Sequence, residues 1–425
     1  MKNYTNNKIF TFVDLFAGCG GLSEGFLQLD FEGLCHVDID EKACETLSNR
    51  LKYYGEESSQ IKKKVLNYDL TNHDNIDKII ELLNGKEVDV LLGGPPCQAF
   101  STVGRAQDPN SMKNDKRNYL YKHYIECLTR IKPKIFIFEN VTGLLTSKPN
   151  GYRIFPEIIK EFEKNGYDVY NNEKEIVLNS VNYGVPQLRK RVILIGIKKE
   201  LKIKSKDIYN LIEKTHYGPC EEDTKLLKFV TVEEAISDLP KLFPGEGKEE
   251  IPFKSNSNND YIKIMRKKNT DKLYNHVARK HNEKDRERYK LLSKNNWLLK
   301  DLVNFRPDLV NYDPNHFINK YKVQQFDRPS LTIVAHLSKD GNLFIHPDSS
   351  QERTFTVREA ARIQSFPDDF QFIGARTNQY KQIGNAVPPL MSKAIAKAVK
   401  KVLGMINEWN KKNVLEYSQC TSYEC

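Results

Sequence analysis

Five short apolar runs in the first 200 residues, at 11–15, 33–37, 88–92, 135–138 and 192–197, alternate with amphipathic or charged stretches. Several of these runs lack an alternating polar face, as expected of strands covered by helices on both sides. The pattern predicts a doubly wound α/β fold built on a mostly parallel sheet. Such sheets bind ligands beyond the carboxyl ends of their strands, so the residues that follow each run are the first candidates for chemistry.

The run at 11–15 passes into Phe16-Ala17-Gly18-Cys19-Gly20-Gly21, with a helix expected from Leu22 to Leu29. Glycines there let backbone N–H groups approach a ligand closely. About twenty residues on, the second run ends at Asp38-Ile39-Asp40, where a carboxylate can accept hydrogen bonds from both hydroxyls of a ribose. Asp69, after a third segment, is placed to accept from an adenine amino group, or else to act as a solvated loop residue. The turn is not the phosphate-gripping GxxxxGK[ST] form, so an adenosyl group without phosphates fits as well as NAD.

The run at 88–92 enters Gly93-Gly94-Pro95-Pro96-Cys97. Two glycines permit a sharp exit from the sheet and two prolines stiffen the chain, which holds Cys97 at the ligand-binding edge. A rigid thiol there reads as a nucleophile. The alternative, a cysteine packing as a small hydrophobe, fits poorly beside Gln98 and Ser101. The fourth run ends on Glu139-Asn140-Val141, bringing a carboxyl group toward the same edge. Asn140 is expected to orient the loop through its backbone. Before the fifth run, Arg189 and Arg191 stand at alternate positions.

DLFAGCGG at 14–21, GGPPCQAFS at 93–101, ENV at 139–141, QLRKR at 187–191, REAARIQSFPDDF at 358–370 and QIGNAVPP at 382–389 occur in one order. That set resembles the DNA cytosine-5 methyltransferase family of prokaryotic restriction-modification type. The resemblance implies a Rossmann-like S-adenosylmethionine-dependent methyltransferase sheet with a second, smaller target-recognition domain. Residues 1–200 are then the catalytic and cofactor-binding domain, 201–351 the recognition domain, and 352–425 a closing segment that returns to the first.

Carried over by motif, the resemblance implies that Phe16, Gly18 and Gly20 wrap S-adenosylmethionine and that Asp38 holds its ribose. Ile39 packs on its adenine, Asp69 reads its amino group, and Asn385 and Val387 complete the pocket. Cys97 adds to C6 of a cytosine, Glu139 contacts N3 and the exocyclic amine, and Arg191 binds the base from another side. Arg189 supports Glu139 or the loop. A stacked base is out of reach, so the target must flip out of the duplex. The polar stretch at 100–114, with Ser101, Gly104 and Arg105, is suited to close over the DNA.

The resemblance implies a double-stranded DNA partner, and the charge balance suits a polyanion, although a Lys- and Asn-rich composition alone would give the same excess. Lys and Arg exceed Asp and Glu by 66 to 56, a net charge of +10. Between 262 and 294 twelve basic residues face four acidic ones, an excess suited to phosphate contacts, although a solvated helix with pairs such as Glu283 with Arg286 would look the same. Asn275, His276, Arg279, His281 and Asn282 form a polar cluster expected to reach base edges. The helix from Arg358 to Gln364 is expected to tie the two lobes together. The eight cysteines form no CxxC pair and no Cys/His cluster of zinc spacing, so neither a metal nor a disulfide framework is expected. With no signal peptide or membrane span visible, a cytoplasmic monomer is expected, paired functionally with a restriction endonuclease. An RNA methyltransferase on this scaffold would carry a Cys-Phe-Thr signature, absent from this sequence, and a non-catalytic relative would have lost the nucleophile or the cofactor motif.

Overall fold

The computed structural model describes residues 8–96, 119–148, 151–266, 271–313 and 320–420, with side chains through Trp409. Eight strands form the central sheet: β1 Thr11–Leu15, β2 Glu32–Asp38, β3 Val65–Asn67, β4 Val90–Gly93, β5 Ile135–Val141, β6 Tyr167–Val169, β7 Val177–Asn179 and β8 Lys190–Lys198. Its order is β3-β2-β1-β4-β5-β8-β6, with β7 also paired to β8. The first five positions are parallel, while β8 runs antiparallel to β5, β6 and β7.

Strands β1, β4 and β5 are buried along almost their whole length because helices cover both faces. The flanking helices are α1 Gly21–Leu27, α2 Glu41–Tyr53, α3 Ser58–Lys64, α4 His73–Leu83, α5 Leu120–Ile131, α6 Ile154–Lys164 and α7 Ser205–Asn210. The chain leaves β1 toward β2 and β3, then crosses back to β4 on the other side of β1. Between β1 and β4 the winding reverses, and their carboxyl ends lie side by side, with Leu15 opposite Gly93. The turn at 16–20 and the exit at 94–96 therefore face one crevice.

Two further cores stand beside this sheet. One gathers Val232, Ile236, Tyr261 and Leu273 with Ile333, Phe355, Ala360, Phe370 and Ile383. It draws on the short helices α8 Val232–Ile236 and α9 Asp260–Met265, and on the hairpin-like pair β11 Gly247–Pro252 and β12 Lys272–Val277; a two-stranded pair, β9 His216–Tyr217 and β10 Leu227–Lys228, precedes it. The other packs Tyr289, Leu292, Leu302 and Tyr321 around α10 Glu283–Asn295 and α11 Leu299–Phe305. Of the last three helices, α12 Val357–Ile363 and α13 Arg376–Asn385 belong to the first of these cores, and α14 Pro389–Cys420 returns to the sheet. Helix α14 lies so close on α1 that a Cβ on Gly25 would stand 2.3 Å from the Lys393 nitrogen, and Ser392 donates to the Leu22 carbonyl. No helix among the described residues is long and apolar enough to cross a membrane.

Candidate active site

The turn after β1 is wound by positive φ at Phe16, Gly18 and Gly20, of 59°, 55° and 90°. Phe16 bears that conformation at a steric cost that glycine avoids. The winding aims the Gly18 N–H at Asp38, whose Oδ2 accepts it at 2.7 Å, while Asp38 Oδ1 accepts from the Asp40 N–H at 2.8 Å. Asp38 thus anchors the turn with one lone pair of each oxygen and keeps a second on each for a ligand. Burial pushes its carboxyl group above the ordinary range against the pull of those hydrogen bonds. Beside it Ile39 is 67% exposed, an apolar side chain left open at a strand end. Asp69 is exposed and turned back on its own loop, where Oδ1 accepts from Thr71 N–H and Oγ at 2.9 and 2.8 Å.

Below the turn lies a group that the sequence did not announce. Ser23 donates to Asp14 Oδ2 at 2.5 Å and lies 3.1 Å from His36 Nδ1, all three buried. Burial pushes the Asp14 carboxyl up to about 7 and the His36 imidazole down to about 3. The three look like a hydrolase triad in composition only: with no open face, they form a floor for the turn.

The closing segment meets the same turn. A Cβ on Gly21 would stand 2.5 Å from the Val387 carbonyl oxygen and 2.8 Å from Ala386 Cβ. Val387 is buried there, and Asn385 is exposed at the end of α13. The structure therefore brings Phe16, Gly18, Gly20, Asp38, Ile39 and Val387 around one turn, with Asp69 on the neighbouring loop.

Across the crevice, Glu139 near the end of β5 forms an ion pair with Arg191 of β8, Oε1 to Nε 2.9 Å. Antiparallel register explains the meeting, because Val141 lies opposite Arg191 and Glu139 opposite Ile193. A Cβ on Gly94 would stand 2.8 Å from Glu139 Oε2, so the exit from β4 runs directly over the carboxylate. Asn140 donates to the Pro95 carbonyl at 3.1 Å, pinning that exit from the neighbouring strand as expected. Cys97, Ser101 and Arg105 lie outside the described residues.

Three expectations need correction. Arg189 does not support Glu139: its guanidinium donates to the carbonyls of Ile333 at 2.6 Å and Gly384 at 3.0 Å, fully buried, and so joins the sheet to the second lobe. Arg279 is buried too, donating to the carbonyls of Lys339 and Leu337 with its guanidinium 4.4 Å from the Tyr380 ring centre, which leaves it no reach toward a base. His281 packs against Tyr289 and lies 3.4 Å from Thr354, and burial pushes its imidazole down to about 4. The same inward turn takes Asn275 and His276, while Asn282 caps α10.

Much of the basic excess at 262–294 is also spent within the chain. Lys263, Arg266, Lys272, Arg286, Arg288 and Lys290 are paired with carboxylates, Arg286 with Glu352 and not with Glu283. Lys280, Lys284 and Lys294 stand exposed. Sequence reading also missed Gln187, fully buried, whose Oε1 accepts from Ile333 N–H at 2.7 Å and whose amide reaches the Ile363 carbonyl at 3.3 Å. Its place in the QLRKR segment was the available signal.

Sheet order, crevice and paired acid and base define the class: an α/β protein whose sheet reverses its winding at a crevice of the kind that binds ligands. The family described as C-5 cytosine-specific DNA methylase matches residues 10–401. The type II methyltransferase M.Bpa9945I of Bacillus paralicheniformis is 35% identical, over 92% of this chain and 98% of its own. M.DdeI of Desulfomicrobium norvegicum is 34% identical, over 95% and 91%. Among solved structures, one described as a DNA modification methyltransferase encoded within an E. coli prophage superposes with a TM-score of 0.67 at 23% identity, over 93% of this chain and 99% of its own, a likeness of fold. The chain belongs to the C-5 cytosine-specific DNA methylase family and is a methyltransferase acting at C5 of cytosine in DNA.

Proposed function

We propose that the chain methylates a flipped-out cytosine of duplex DNA with S-adenosylmethionine as donor and Cys97 as nucleophile. The observation that carries this reading is the Glu139–Arg191 pair lying over Gly94, at the strand exit that leads through Pro95 and Pro96 to Cys97.

The residues around the first turn suit the donor. A carboxylate with lone pairs to spare fits ribose hydroxyls, exposed Ile39 offers an apolar face to adenine, and the backbone turn needs no basic group because the ligand carries no phosphate. When bound, S-adenosylmethionine supplies an electrophilic methyl group on a sulfonium sulfur. Cys97 adds as thiolate to C6, which makes C5 an enamine-like carbon able to accept a methyl group; loss of the C5 proton then returns the electron pair and expels the thiolate. The Glu139 carboxyl group brings a proton to N3, where the electron pair displaced by the thiolate is taken up, and accepts from the exocyclic amine. Arg191 fixes that side chain and contacts the base.

Relatives carrying type II names suggest pairing with a restriction endonuclease of the same target. Tritiated methyl transfer to duplex DNA, single-stranded DNA and transfer RNA tests the reading: duplex DNA should be the best acceptor by a wide margin, and preference for transfer RNA would overturn it. Bisulfite sequencing of DNA from expressing cells then identifies the target.

Two substitutions follow from the geometry. Asp38→Ala removes hydrogen bonds to a charged acceptor and should weaken S-adenosylmethionine binding by roughly 10- to 100-fold in calorimetric titration. Glu139→Gln keeps the shape but not the charge and should lower the methylation rate about 10²- to 10⁴-fold, with cofactor affinity unchanged.

A further inference from the structure

Away from the crevice, α4 and α5 bring together His73, His123 and Glu126, whose ligand atoms all lie within 4.8 Å of one another. His123 and Glu126 are one turn apart on α5 and share a face. His73 is the first residue of α4, placed by Asn72, whose side chain caps that helix by accepting from Asp74 N–H. Glu126 bridges the two rings, with Oε1 3.0 Å from His73 Nδ1 and Oε2 3.7 Å from His123 Nδ1.

The second of those distances is beyond hydrogen-bond length, and His123 Nδ1 is buried with no hydrogen-bond partner among the described residues. That nitrogen keeps a lone pair or a proton directed at the cluster, available to a ligand. The frame is held one turn further along both helices, where Arg130 of α5 pairs with Asp77 of α4 at 2.7 Å.

We propose that His73, His123 and Glu126 bind one divalent transition-metal ion of the borderline class, such as Zn²⁺, Co²⁺ or Ni²⁺. Two imidazoles and one carboxylate with a position left for water are the donor set of such ions, whereas Mg²⁺ and Ca²⁺ take oxygen ligands. Metal–nitrogen bonds of about 2.0–2.1 Å require the donors to draw closer than they now lie. The His73 side chain, 70% exposed, is free to turn inward. Sequence spacing hides the set, since 53 positions separate His73 from Glu126.

Cobalt titration of the metal-stripped full chain tests the site, because its visible spectrum separates nitrogen and oxygen ligands from thiolates. One equivalent should bind at micromolar concentration without a sulfur-to-cobalt charge-transfer band and should raise the thermal midpoint. Both effects should vanish in His123→Ala and Glu126→Gln. His73→Gln, at an exposed side chain, gives the same reading should the α5 variants fold poorly. Absence of saturable binding, a thiolate band, or unchanged binding in the variants would each overturn the site.

Discussion

Cys97→Ser should lower methyl transfer by about 10⁴-fold or more and leave S-adenosylmethionine affinity within about twofold of the parent. The reasoning starts from the elements on either side of the crevice. Cofactor contacts are assigned to the turn after β1 and to the ends of β2 and β3, while the nucleophile is bonded to Pro96 on the β4 exit. That exit is held independently, by Asn140 on the Pro95 carbonyl and by Glu139 against Gly94. A serine therefore disturbs neither the turn nor the acid. It replaces a thiol, whose thiolate is the attacking species, by a hydroxyl that stays protonated, so attack on C6 loses its nucleophile. Tritium transfer measures the first effect and calorimetric titration the second. Turnover near that of the parent would remove Cys97 from the chemistry, and a parallel loss of cofactor affinity would make its role structural.

What the sequence disclosed depended on how completely an element is buried. The runs at 11–15, 33–37, 135–138 and 192–197 lie within strands and the run at 88–92 enters one at Val90, because a strand covered on both faces is largely apolar. Strands β3, β6 and β7 have three residues each and were not anticipated; such pieces are defined by the neighbour they pair with and leave no periodicity of their own. Residue type was a weaker guide where it had to say which way a side chain points. Arg279 and Arg189 were read as reaching DNA and supporting catalysis, yet both end on backbone carbonyls inside the protein. A guanidinium with five donors can be buried wherever carbonyls converge, and only the folded chain reveals where they do. Glu139 and Arg191 were legible because strand register, and not side-chain reach, brings them together.

The charges of the helix expected to tie the lobes are spent inside the second core, and it is Gln187, through Gln364 and the Ile363 carbonyl, that links the helix to the sheet. The buried charge network carries the largest expected effect on stability. Arg362 of α12 is fully buried and grips Asp368 with two bonds of 2.8 Å, while its other nitrogen reaches Asp238 and the Ala235 carbonyl at the end of α8. One turn back, Glu359 caps the helix with Thr356 and takes Arg353 at 2.7 and 2.8 Å. Arg362→Ala strips Asp238 of that partner and leaves Asp368 with Arg266 at 2.8 Å and Arg358 at 3.9 Å. Breaking a buried pair from one side costs about 3–5 kcal/mol, and the remaining arginines place this case toward the lower end. An exposed pair such as Lys263 with Asp260 should contribute under about 1 kcal/mol, so Lys263→Ala is the matched control. The pH dependence has a definite sign. Burial pushes the Asp368 carboxyl up, but Arg362, with Arg358 and Arg266, outweighs it and holds the group below its ordinary 3.8. The pair's contribution is therefore complete above that value and is lost as pH falls below it through the lower folded value. Urea midpoints of parent and Arg362→Ala should accordingly differ most near neutral pH and converge in acid. A gap that is constant with pH would mean that Arg362 acts by packing alone, and this core would then be held by shape and not by charge.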